Sequence, residues 1–120
     1  MFAPLVRSRL FAAAFFLTAL VVMWLSLRPM IGGGGGHIDK VQHFLAYAAL
    51  TVLGLAASRG ARATAVVAGV VAFGAGVEVL QALLPTGRTG SVLDGLANTA
   101  GAGLAWVLWR MLEQGRRTKL

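Results

Sequence analysis

TAVVAGVVAFGAGVEVLQALL, residues 64–84, is a run of twenty-one residues in which Glu78 is the sole ionisable group. At 1.5 Å per residue a helix of this length crosses the ~30 Å of hydrocarbon in a bilayer. A lone spanning segment has to satisfy its own backbone hydrogen bonds. The run also lacks the alternating pattern of a barrel strand, so a membrane helix is the expected state. Pro85 closes it, and Ser58-Arg59-Gly60-Ala61-Arg62 precedes it as a polar turn.

Similar apolar runs lie on both sides. Together they predict an all-α integral membrane bundle of four transmembrane helices, over about 9–28, 39–58, 64–84 and 92–111, in a single domain spanning 1–120. The whole chain agrees with this. It is 58% hydrophobic and 12% charged, against roughly 25% charged in soluble domains, and its mean hydropathy is +0.77. The first run follows Arg7 and Arg9 as a signal peptide would. It is long for a signal core and no small-residue cleavage site follows, so a retained helix is expected. Pro29 with Gly32 to Gly36, and the stretch from Pro85 to Gly90, separate the other helices. Ser91 is placed to cap the last helix, and Asp94 stands at the third position after it, the spacing of a capping box.

The net charge of +7 sits mostly beside the helix ends, with no basic groove interleaved with aromatics, so no nucleic-acid partner is expected. Arg7, Arg9, Arg59, Arg62, Arg110, Arg116, Arg117 and Lys119 fall on one side of the membrane, and Arg28, Lys40 and Arg88 on the other. The positive-inside rule then puts both termini in the cytoplasm, in a multi-pass protein of a bacterial inner membrane. Cysteine is absent, which leaves carboxylate, imidazole, guanidinium and hydroxyl groups for any chemistry.

The chain has four acidic residues, and three of them lie in or at the mouths of apolar segments. Ionisable groups at membrane depth mark functional sites by default. Residues three or four apart share a helix face, so Asp39, His43 and Tyr47 form one stripe, Glu78 and Gln81 a second, and Asp94 and Asn98 a third. With the helices alternating in direction, all of these lie in the outer half of the bilayer and are expected to line a polar pocket open to the outside. Asp39, His43, Glu78 and Asp94 are the candidate catalytic groups, with Asp39 orienting the His43 imidazole for proton transfer. Lys40, Tyr47, Gln81, Arg88 and Asn98 are the candidate ligand-binding groups, and Arg88 is suited to a bidentate grip on phosphate or carboxylate. No metal and no cofactor is assigned, because the sequence carries no dedicated ligand spacing. Small residues at four-residue spacing (Ala68, Ala72, Gly76; Gly95, Thr99, Gly103; Ala97, Gly101, Ala105) predict close packing of the third and fourth helices.

The run from Asp39-Lys40-Val41-Gln42-His43-Phe44 to Tyr47, then Glu78-x-x-Gln81, Arg88, Asp94 and Asn98-Thr99-Ala100-Gly101, resembles the VanZ-like family of small bacterial membrane proteins over about 39–105. The resemblance implies a helical bundle in the cell membrane and, from some relatives, a link to low-level teicoplanin resistance. This chain has Ala105 where the family often has a second glycine, and the five-glycine run is not part of the pattern. The expected function is a pocket that binds, and in one version modifies by hydrolysis or group transfer, the head group of an envelope lipid or lipid-linked cell-wall precursor. The alternative is a non-enzymatic module whose polar residues lock the helices or bind a protein partner. A transporter ranks third, because no internal repeat is present.

Overall fold

The computed structural model describes residues 3–28, 37–85 and 91–119. The glycine run from Gly32 to Gly36 and the Arg88 turn lie outside these residues. Four helices follow one another: α1 (Ala3–Leu27), α2 (His37–Ser58), α3 (Ala63–Leu83) and α4 (Val92–Thr118). α1 starts about six residues earlier than its apolar run, because Pro4 is compatible with a first helical turn and the arginines extend a helix readily. α4 runs about seven residues past its own, since Leu112, Glu113, Gln114, Arg116 and Arg117 extend a helix readily.

Contacts at the two ends fix the directions. Ser8 donates to the carbonyl of Ala57, joining the start of α1 to the end of α2. Gln81 Nε2 donates to the carbonyl of Ser26 at 2.8 Å, joining the end of α3 to the end of α1. Lys40 and Asp94 join the starts of α2 and α4. The helices therefore alternate in direction, and Asp39, Lys40, His43, Glu78, Gln81, Asp94 and Asn98 collect at one end.

The core is formed by Tyr47, Leu50, Val70 and Ala102, with Phe15, Ala19, Val22 and Phe73 packed against them. Thr51 is buried and donates to the carbonyl of Tyr47 within its own helix, so it leaves no orphan hydroxyl. Outside this core, large apolar side chains are exposed on every helix, among them Phe16, Leu20, Leu45, Val79, Leu83, Leu96, Val107 and Leu112. Water would not support an apolar surface of this extent on a folded monomer, and lipid does. α1, α2 from Asp39 onward, and α3 are each long and apolar enough to cross a membrane. α4 is long enough, but Asp94 and Asn98 on its buried face reduce its apolarity, so it falls short of the other three. The protein is an all-helical membrane protein.

Of the small-residue ridges, only the one through Gly101 and Ala105 is buried between helices. Gly76, Gly95 and Gly103 face open space. At the end of α2 the backbone enters the left-handed region at Arg59 (φ 53) and Gly60 (φ 77), and the Gly60 amide donates to the carbonyl of Leu55 at 2.8 Å. A Cβ on Gly60 would stand 3.0 Å from Trp109 Nε1 and would collide with the Glu113 carboxylate. Gly60→Ala is therefore expected to cost about 1–2 kcal/mol of stability, read as a lowered unfolding midpoint in mild detergent.

Candidate functional site

The opening turns of α2 carry Asp39, Lys40 and His43, and the opening turns of α4 carry Asp94 and Asn98. The two helices lie against each other, so these five side chains meet. Lys40 Nζ lies 3.2 Å from Asp94 Oδ1. His43 Nδ1 lies 3.0 Å from Asn98 Oδ1. An amide oxygen only accepts, so Nδ1 carries the proton of that bond and the neutral ring keeps its lone pair on Nε2. Nε2 faces Asp39 Oδ1 at 3.7 Å, one helical turn back on the same face. That separation suits an ion pair with a protonated ring and is too long for a hydrogen bond. Asn98 on Nδ1 and Asp39 facing Nε2 thus stand on either side of the His43 ring.

Glu78 comes in from α3. Its Oε2 accepts from the Ser91 backbone amide at 2.9 Å, while the Ser91 hydroxyl accepts from the amides of Leu93 and Asp94. Only half of the expected capping box forms within α4. The return bond, expected from Asp94, is made by Glu78 of the neighbouring helix, and Asp94 is left free to pair with Lys40. The Glu78 carboxylate also interacts electrostatically with Asp94, His43 and Asp39, and the Tyr47 hydroxyl with Glu78.

Tyr47 and Asn98 lie deeper, 1% and 2% exposed. They share one space beside α3, since a Cβ on Gly74 would stand 2.9 Å from Tyr47 Cε1 and 3.3 Å from Asn98 Nδ2. Gln81 points elsewhere: its amide is spent on Ser26 of α1, so it ties α3 to α1 instead of joining the α2–α4 cluster. Arg88 lies outside the described residues. Sequence reasoning missed the amide of Ser91, the carbonyl of Ser26 and the clearance at Gly74. Backbone acceptors and donors leave no trace in residue type, and only Gly74, one turn before Glu78, carried any signal.

The ligand atoms of Asp39, His43 and Asp94 all lie within 4.8 Å of one another, a grouping that forms across two helices and is therefore invisible to sequence spacing. Its positive partner is already present in Lys40, so a divalent ion has to displace that ammonium from Asp94.

The family model described as VanZ/LLP1 matches residues 3–113, nearly the whole described chain. The chain belongs to the VanZ/LLP1 family. No curated protein and no solved structure matches it. In this VanZ-family protein the match covers α1, α2 and α3 entirely, α4 as far as Glu113, and every residue of the cluster.

Among the described residues, Tyr47 Oη, Glu78 Oε1 and Asn98 Nδ2 in the cluster, and Gln81 Oε1 outside it, are buried without a hydrogen-bond partner. Each such atom costs about 1–3 kcal/mol when water is withdrawn and nothing replaces it. Three of them belong to residues grouped about His43. The arrangement can accept a proton at His43 Nε2, donate hydrogen bonds from Asn98 and Tyr47, and present one ammonium to an anion.

Proposed function

We propose that this VanZ-family protein is a multi-pass protein of a bacterial inner membrane, with α4 as its fourth crossing and both termini in the cytoplasm. Its polar cluster binds the head group of an envelope lipid or lipid-linked cell-wall precursor. The observation that carries this is the set of orphaned polar atoms on Tyr47, Asn98 and Glu78: a ligand with hydroxyl or phosphate oxygens satisfies donors and acceptor together. Lys40 and Arg88 supply positive charge for an anionic group. Where chemistry follows binding, His43, held by Asn98, receives a proton at Nε2, with Asp39, Glu78 and Asp94 setting the surrounding charge. A cell-wall precursor as ligand would connect the protein with glycopeptide resistance.

A second reading is favoured by a different observation. Lys40–Asp94, His43–Asn98, Glu78–Ser91 and Gln81–Ser26 each join two helices or a helix and a turn, as polar locks between helices do.

Tyr47→Phe separates the two. It removes an oxygen that has no partner, so the fold keeps its stability or gains up to about 1 kcal/mol, while a ligand that uses the hydroxyl is lost. Native mass spectrometry of protein purified in mild detergent with its own lipids should show a discrete adduct on wild type that is absent from Tyr47→Phe. The Arg88→Ala variant should lose the same adduct. Identical adducts on all three proteins, or a marked loss of thermal stability in Tyr47→Phe, would put the locking role in front.

A further inference from the structure

The end of the bundle opposite the polar cluster holds a cavity of about 660 Å³ between the start of α1, the end of α2 and the last turns of α4. Arg7, Arg59 and Arg116 line it, one from each of these segments, together with Ser8, Trp109 and Glu113. Asp94 and Trp109 are fifteen positions apart on α4, which places the two sites ~22 Å from each other along the helix.

Two features of the cavity point to an anion. Three arginines, each exposed, and one carboxylate line it, a surplus of two positive charges, and among the described residues none of the four groups forms an ion pair. The indole N–H of Trp109 is buried without an acceptor. The remaining walls are apolar, from Phe11, Val52, Ala56 and Leu112. A volume in the range of ~300–1,000 Å³ suits a ligand larger than an inorganic ion.

We propose that this cavity is a binding site for an anionic phospholipid, with its phosphate held by Arg7, Arg59 and Arg116 and its acyl chains running out along Phe11, Val52 and Leu112. Guanidinium forks match phosphate oxygens bidentately, and Trp109 Nε1 supplies a further donor. Apolar walls beside the charges distinguish a lipid from free phosphate as the occupant. The site is separate from the carboxylate cluster, so either can fail without the other.

The test compares phosphatidylglycerol with phosphatidylcholine of the same acyl chains, titrated onto delipidated full-length protein and read by native mass spectrometry. Wild type should bind one phosphatidylglycerol at least tenfold more tightly than phosphatidylcholine. The triple variant Arg7→Gln/Arg59→Gln/Arg116→Gln should lose that preference, while Arg62→Gln/Arg117→Gln, which changes two arginines outside the cavity, should keep it. Trp109→Phe, which removes the indole N–H, should weaken binding several-fold and serves if the triple variant does not fold. Tyr47→Phe at the far end should leave this adduct in place. Equal binding of the two lipids, or equal losses in the triple variant and the outside pair, would overturn the proposal in favour of diffuse surface charge. Displacement of the lipid by millimolar inorganic phosphate would overturn the lipid assignment.

Discussion

Gly101→Ala should abolish the folded protein or lower its stability by about 3 kcal/mol or more, the upper range for forcing extra volume into a packed interface. A Cβ at this position would overlap the carbonyl oxygen of Phe44 and stand 3.2 Å from the Ala48 amide nitrogen. Both obstacles are backbone, so no rotamer change relieves them and α2 has to move away from α4. Phe44 follows His43 directly, and Asn98 lies less than a turn before Gly101, so the same movement pulls apart the His43–Asn98 and Lys40–Asp94 contacts. The control is Gly103→Ala, two residues on, where nothing lies within 4 Å. There the change should be neutral, or stabilising by up to about 1 kcal/mol through helix propensity. Unfolding in detergent of the two variants decides the matter. A folded Gly101→Ala protein with unchanged midpoint would mean that α2 and α4 do not approach as closely as described.

Lys40→Met should destabilise more than Asp94→Asn. The Lys40 side chain is 35% exposed and that of Asp94 is 11% exposed. An abandoned lysine can extend its ammonium toward the membrane surface, so Asp94→Asn should cost only about 1 kcal/mol, as partly screened pairs do. An abandoned Asp94 stays in place beside Asp39 and Glu78 with no positive partner from α2, and leaving a buried charge uncompensated costs about 3 kcal/mol. The double variant Lys40→Met/Asp94→Asn should recover part of this, with a coupling energy of about 1–2 kcal/mol. Equal losses in the two single variants, adding fully in the double, would show that the two side chains do not interact.

The four helices were legible because an apolar run of membrane length has few alternative structures. The residues that share a helix face were legible as well, since the helical period fixes them within each helix. Periodicity does not say how far one helix is rotated against the next. That rotation decides that Glu78 meets the Ser91 amide rather than the side chains of α4, that Gln81 turns to α1, and that Gly101 rather than Gly103 faces α2. His43 shows the same limit within the site. Its neighbour on the same face, Asp39, was the visible partner in the sequence, while its hydrogen-bond partner, Asn98, lies fifty-five positions away. The apolar surplus of the sequence announced a membrane protein, yet α4 is diluted by the very polar residues it turns inward.

The bond from the Ser91 amide to Glu78 also bears on how a protein of this kind can change over evolutionary time. It ties the base of the α3–α4 hairpin together, so the start of α4 keeps its register with α3 whatever the turn between them contains. Residues other than Arg88 can be gained or lost within that turn without disturbing the cluster. One residue gained between Ser91 and Asp94 would swing Asp94 by about 100° around the helix axis, away from Lys40. Length variation among descendants should therefore accumulate before Ser91 and stop abruptly after it.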